Sequence, residues 1–189
     1  MVREFFIKNM VCERCIRVLQ EELMTAGVLI KDLELGYFSI ITEDPEKDLE
    51  LVNDAVNLGG FSLLHEPGEV LSEQVKLALI RLTESLPLQT NKKLSAYLSE
   101  KFGMSYSRIS RTFSAIEQLT VEKYFIRLKI EKVKELIQDS SYNFTEIAQL
   151  LDYSSINHLS RQFRNETGMS LSAYKEMNCN TRRPLDKII

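Results

Sequence analysis

The chain has 189 residues, of which 44% are hydrophobic and 27% are charged, as in an ordinary soluble globular protein. No apolar run approaches the roughly 20 residues that a helix needs to cross a bilayer. Three cysteines are too few for a disulfide framework, and the amino terminus lacks an apolar signal core, so we expect a cytoplasmic protein with no membrane partner.

Charge is distributed unequally along the chain, although the net charge is only −3. Residues 1–68 contain 6 Lys and Arg against 13 Asp and Glu, whereas residues 69–189 contain 18 against 14. This asymmetry suggests an acidic domain followed by a basic domain, and a basic domain is suited to face phosphates.

The first 66 residues alternate between strand-like and helix-like patterns. The short aromatic run "EFFIK" predicts a strand, and Ile16, Leu19 and Leu23 recur after it at helical spacing. Two apolar runs joined at Gly36 predict a hairpin, and a helix capped by Asp44 precedes a last strand, "FSLLHE". The predicted order is β-α-β-β-α-β, the split βαβ arrangement.

A boundary is predicted at Pro67 and Gly68, beyond which apolar residues recur almost everywhere at helical spacing. We therefore expect a first domain over residues 1–66 and a helical domain over residues 69–177. Residues 178–189 are expected to form a ragged tail.

The helical half contains an internal repeat. Residues 105–124 align without gaps on residues 155–174, with five of the twenty positions identical. Each copy reads as helix, tight turn and helix, and the turn residues, Gly103 and Asp152, both tolerate a left-handed backbone. Two helix-turn-helix units in tandem are the prediction.

These motifs resemble the DNA-binding domain of AraC/XylS-type transcription regulators over residues 71–177. The resemblance rests on "RISRTF", "RLKIEKVKELI", "FTEIAQLLDYSS", "HLSRQFRNETGMS" and "AYKEM". The chain departs from the family at Asp152-Tyr153, where Gly-Phe is usual, at Glu117-Gln118, where Thr-Gly is usual, and at Leu171, where Pro is common. The resemblance implies a bacterial transcription regulator that binds double-stranded promoter or operator DNA, with RNA polymerase as a partner if it activates.

Both candidate recognition helices have a polar outward face, as entry into a major groove requires. Arginine can read guanine bidentately and asparagine can read adenine, while a serine cap can assist contacts to phosphate. The alternative is that these side chains are merely solvated. The predicted DNA-binding residues are Ser105, Ser107, Arg108, Ser110, Arg111, Ser155, Asn157, His158, Ser160, Arg161 and Arg164.

The segment "NMVCERC" places Cys12 and Cys15 three residues apart at the start of a predicted helix. A helix amino terminus and the neighbouring Arg14 should lower the pKa of the thiols, and thiolates bind soft metal ions. Cu(I) is favoured, and Zn(II) or Cd(II) would need further ligands. A redox pair and a thiol pair without function are the alternatives.

The first domain resembles a heavy-metal-associated domain, through the M-x-C-x-x-C motif and the predicted element order. The resemblance implies that Cys12 and Cys15 are metal ligands in a ferredoxin-like fold. We therefore expect an α+β fold: a ferredoxin-like βαββαβ domain followed by an all-α double helix-turn-helix domain.

The predicted function is sequence-specific regulation of transcription in response to a soft metal ion, which in one version bridges a homodimer. A first domain that only dimerises, or that senses redox state or another ligand, is an alternative. A metallochaperone with a helical docking domain is another. The sequence contains no Walker-type loop, G-x-S-x-G or H-E-x-x-H motif, so we do not expect an enzyme.

Overall fold

The computed structural model describes residues 1–88, 93–177 and 182–188. By internal packing the chain divides into two compact units, Met1–Leu77 and Ala78–Ile189, and the division falls within a helix. Among the described residues, no helix is both long and apolar enough to span a membrane.

The first unit contains a four-stranded sheet and two helices in the predicted order. Each neighbouring pair of strands is antiparallel, and the strand order in the sheet is β2-β3-β1-β4. The last strand is shorter than the six residues of "FSLLHE". The elements are β1 (Val2–Lys8), α1 (Glu13–Thr25), β2 (Ile30–Glu34), β3 (Tyr37–Ile41), α2 (Pro45–Leu58) and β4 (Ser62–Leu64).

Alternating side chains explain how this sheet packs against its helices. Phe5 and Ile7 of β1 are buried, and the Phe5 ring stacks on Phe38 of β3 with ring centroids 4.9 Å apart. The helical stripe of α1 buries Leu19 and Leu23 in the same core. The predicted cap of α2 is present, since the carboxylate of Asp44 accepts the Lys47 N–H at 3.3 Å.

The described residues beyond β4 are mostly helical, as predicted. Pro67 begins α3, which occupies the position where the sequence predicted a boundary, because proline is well tolerated at the first position of a helix. The helices are α3 (Pro67–Glu84), α4 (Leu94–Phe102), α5 (Tyr106–Glu117), α6 (Val121–Asp139), α7 (Phe144–Leu150), α8 (Ile156–Thr167) and α9 (Leu171–Glu176).

The tail was expected to be ragged over residues 178–189, and this expectation is wrong for its described part. Residues 178–181 and 189 lie outside the described residues, but Leu185–Lys187 form a 3-10 turn. The side chain of Ile188 is only 1% exposed, and its carbonyl accepts a hydrogen bond from Arg127 at 3.1 Å. A single buried isoleucine has no periodicity, so the sequence pattern gave no sign of this packing.

Candidate nucleic-acid interface

Two helix-turn-helix units are present in the second unit of the chain, α4–α5 and α7–α8. Gly103 ends α4 with a φ of 63°, and Asp152 follows α7 with a φ of 55°. Both turns therefore use the left-handed backbone that was predicted for them. We call α5 and α8 the recognition helices.

The repeat extends beyond the recognition helices to the helices that follow. Thr120 caps α6 by accepting the Lys123 N–H at 3.1 Å, and fifty residues later Ser170 caps α9 by accepting the Ala173 N–H, also at 3.1 Å. These caps start α6 and α9 at equivalent positions of the two copies.

An aromatic pair closes the core of each copy. The rings of Phe113 and Tyr124 have centroids 5.7 Å apart, and those of Phe163 and Tyr174 have centroids 5.5 Å apart. All four side chains are buried. Each recognition helix is thus fixed against the following helix by the same pair of rings, so two of the five identical positions of the repeat are core positions.

The recognition helices bury one apolar face and expose a mostly polar one. Ile109 and Phe113 of α5, and Leu159 and Phe163 of α8, are fully buried. None of the eleven predicted DNA-binding side chains is buried, and all four arginines among them are exposed: Arg108, Arg111, Arg161 and Arg164.

At the start of α8 several predicted residues come together. Ser155, Asn157, His158 and Arg161 line one shallow hollow together with Ser154. Their groups offer hydroxyl, amide, imidazole and guanidinium donors, which suits contacts to phosphate oxygens and base edges.

The two serines predicted as helix caps differ. The hydroxyl of Ser155 accepts the His158 N–H at 3.2 Å, whereas Ser105 occupies the capping position of α5 without a side-chain capping bond. Ser154 was missed by the sequence reasoning, although its Oγ lies 3.1 Å from Nδ1 of His158.

Helix α6 links the two helix-turn-helix units. Its 19 residues correspond to a length of about 28 Å at the usual rise per residue, compared with roughly 34 Å for one turn of duplex. The Nζ of Lys123 on α6 lies 2.5 Å from Oε1 of Glu166 on α8, so an ion pair joins the linking helix to the second recognition helix.

A lysine of α6 also contacts the turn that precedes α8. The Nζ of Lys129 lies 3.8 Å from the centroid of the Tyr153 ring. Burial lowers the pKa of Lys129 to about 8, while the charge of Asp152 opposes this shift. The hydroxyl of Tyr153 is buried and finds no hydrogen-bond partner within the described chain.

The cysteine pair of the first unit forms a second candidate site. Cys12 is the exposed cap of α1, Cys15 is half-buried, and their sulfur atoms lie 3.5 Å apart. Burial is the main reason that the pKa of Cys15 is raised, so the predicted lowering is wrong for this thiol. Within the described ranges, no group of three or more His, Cys, Asp or Glu residues is placed to hold a metal ion.

The loop that carries the cysteines is anchored from a distant part of the chain. Met10 is fully buried, and Asn9 has a left-handed backbone with a φ of 69°. The Asn9 N–H donates to Oε1 of Glu73 at 2.8 Å, and Oε2 of the same carboxylate lies 2.6 Å from Nζ of Lys76. This buried anchor was not predicted, since 64 residues separate Asn9 from Glu73.

Comparisons with known proteins find sequence similarity in the helical part of the chain. Residues 98–177 match the family described as "Helix-turn-helix domain". The HTH-type transcriptional activators RhaS of Salmonella arizonae and Salmonella newport are 32% identical over 73 residues, which is 39% of this chain. The match covers 26% of the length of these relatives.

Two solved structures share the fold at low sequence identity. The C-terminal domain of AraT, a response regulator from Geobacillus stearothermophilus, matches with a TM-score of 0.51 at 17% identity, covering 63% of this chain and 92% of that domain. A transcriptional regulator with an AraC-type DNA-binding domain from Chromobacterium violaceum also gives a TM-score of 0.51, at 16% identity, over 61% of this chain and 99% of that structure. The helical part of the chain is therefore similar in sequence to a family of helix-turn-helix domains, and it shares the fold of these two structures.

Proposed function

We propose that the chain is a sequence-specific transcription regulator that reads duplex DNA with both recognition helices. The observation that carries this proposal is the repeated geometry: two helices with the same buried face and the same polar face, joined by one linking helix. A single arginine-rich helix is often only solvated surface. Two copies with matched turns, caps and aromatic pairs favour a shared role in two successive major grooves.

The direct test is in vitro selection of duplexes with the purified full chain, starting from a randomised library. The proposal predicts a selected sequence with two half-sites about one helical turn apart, since each recognition helix should read one half-site. Binding to the selected duplex should be tighter than to a mixed-sequence duplex of the same length. Failure to enrich any sequence would contradict the proposal.

The first unit, in this proposal, is a heavy-metal-associated type of sensor domain that binds a soft metal ion at Cys12 and Cys15. Two sulfur atoms 3.5 Å apart at the start of α1, one exposed and one half-buried, are close enough to bind one ion, and sulfur ligands favour Cu(I). A two-sulfur set would complete Zn(II) or Cd(II) coordination only with further ligands, which a second chain could supply. A metal-bridged homodimer is therefore part of the proposal.

Anaerobic titration of the reduced full chain with Cu(I) and with Zn(II), against a competing chelator, tests the metal site. The control is the variant with Cys12→Ser and Cys15→Ser. Tight binding that is lost in the variant supports the sensor role, and sedimentation velocity with and without metal tests the bridged dimer. Equal binding by both proteins would contradict the assignment of these two ligands.

A redox role for the same pair is a second candidate, because the sulfur atoms are already within 3.5 Å of each other. Oxidation would join them in a disulfide, at a bond length of about 2.05 Å. The two roles are separated by comparing operator affinity after metal addition with operator affinity after mild oxidation followed by reduction.

A further inference from the structure

His158 is held in place on several sides at the start of α8. Its Nδ1 lies 3.1 Å from Ser154 Oγ, and its backbone N–H donates to Ser155 Oγ. Its ring meets the Tyr153 ring edge-on, with centroids 5.3 Å apart and an interplanar angle of 85°. In the described chain the other ring nitrogen, Nε2, has no protein partner, so it is left for a ligand of the hollow that His158 lines.

The tyrosine that supports His158 is itself fixed from two directions. Its backbone N–H donates to the Ala148 carbonyl at 2.9 Å, which sets the turn after α7. Tyr153 is only 7% exposed, and the Nζ of Lys129 lies 3.8 Å from the centroid of its ring. A cation over an aromatic face stabilises this arrangement by electrostatic attraction to the ring.

Tyr153 contacts His158 and Lys129 through its aromatic ring and not through its hydroxyl. The hydroxyl is buried without a partner among the described residues, an arrangement that costs stability. Lys129 of α6 contacts one part of this ring, and His158 in the first turn of α8 contacts another.

We propose that Lys129 and Tyr153 are positioning residues that hold His158 so that Nε2 reads one base edge in the major groove. When the Ser154 hydroxyl donates to Nδ1, the proton of the neutral imidazole is on Nε2, which then donates. The complementary acceptors on base edges are purine N7, guanine O6 and thymine O4. This inference rests on the proposed function, and it adds specificity-determining residues that do not themselves touch DNA.

A double-mutant cycle on the selected operator tests the inference. The four proteins are the wild type, Tyr153→Leu, His158→Ala and the double variant. Each single substitution is expected to lower operator affinity by about fivefold, and Tyr153→Leu is expected to have little further effect once His158 is absent, because coupled residues are not additive. The conservative Tyr153→Phe variant keeps the ring and is expected to retain wild-type affinity.

Two readouts separate positioning from general stability. Repeating the selection with His158→Ala should remove the preference at one base pair, and Tyr153→Leu should remove the preference at the same base pair. Affinity for a mixed-sequence duplex should fall much less than affinity for the operator in both variants, because binding without sequence preference depends mainly on phosphate contacts. If Tyr153→Leu does not fold, Lys129→Met takes its place in the cycle, with the same pattern expected.

Additive losses in the cycle would overturn the inference, because they would show that the ring does not act through His158. Unchanged affinity in His158→Ala would also overturn it. Failure of the wild type to select any sequence would contradict the proposed function as well. Selection by the wild type combined with additive losses would leave the proposed function intact and remove only this inference.

Discussion

Gln118 and Gly168 end the two recognition helices in the same left-handed backbone conformation, with φ angles of 53° and 77°. They are equivalent positions of the repeat, fifty residues apart. Glycine adopts this conformation without steric cost, whereas a side chain at Gln118 costs about 1 kcal/mol. The first copy therefore carries backbone strain at a turn where the second copy does not.

Gln118→Gly is expected to stabilise the protein by about 1 kcal/mol, since it removes this strain. Gly168→Gln is the matched control, and it is expected to destabilise by a similar amount. Urea denaturation of both variants, followed by circular dichroism, measures the two changes. Opposite signs support the equivalence of the two turns, and destabilisation by Gln118→Gly would contradict it.

Tyr153→Phe is expected to raise the free energy of unfolding by about 1 kcal/mol. The substitution removes a buried hydroxyl that has no partner in the described chain, so the cost of desolvating that group disappears. Tyr174→Phe, at a buried tyrosine whose hydroxyl accepts from Gln138 Nε2 at 3.4 Å, is the comparison and is not expected to gain stability. A loss of stability in Tyr153→Phe would show that the hydroxyl is satisfied in solution.

The stability contribution of Lys129 is expected to depend on pH. Its pKa in the folded chain is about 8, below the ordinary value of 10.5, so between these values the unfolded chain binds more protons. The contribution of Lys129 to the free energy of unfolding should therefore rise as the pH rises from about 8 to 10.5. Burial of its charged form should destabilise the folded chain most below pH 8. Between pH 8 and pH 10.5, the unfolding free energy of the wild type is predicted to rise relative to that of Lys129→Met. A constant difference would contradict the lowered pKa.

Glu73→Ala is expected to loosen the cysteine loop. The substitution leaves the partly buried N–H of Asn9 without its acceptor, which should cost about 1 kcal/mol. Alkylation of Cys12 and Cys15 by iodoacetamide should be faster than in the wild type, while Glu73→Gln keeps an acceptor oxygen and should change the rate less. Glu21→Ala, at an exposed position of α1, is the control. Equal alkylation rates in all four proteins would show that Glu73 does not hold the loop.

Local patterns explain which parts of the fold were predictable. Alternation in β1 and the turn at Gly36 depend on neighbouring residues, so the order of elements in the first unit followed from the sequence. The repeat predicted the two helix-turn-helix units because equivalent core residues recur at a constant offset. The outward residues of α5 and α8 followed from helical periodicity.

Contacts between distant residues were not predictable from such patterns. The hydrogen bond from Asn9 to Glu73 spans 64 residues, and that from Arg127 to Ile188 spans 61. Lys129 and Tyr153 each look ordinary in the sequence, and only the packing of α6 on the turn before α8 brings them together. The raised pKa of Cys15 has the same origin, because burial by the surrounding fold outweighs the effect of a helix terminus.

The most direct measurement is the salt dependence of affinity for the selected duplex, compared between the wild type and the variant with Arg111→Ala and Arg161→Ala. Arg17→Ala, at an exposed position of the first unit, is the matched control. If both recognition helices contact DNA, the double variant should lose most of its affinity, while the control binds like the wild type. The affinity of the double variant should also depend less steeply on salt concentration, because each lost phosphate contact lowers that slope. Equal affinities and equal slopes for all three proteins would contradict the account.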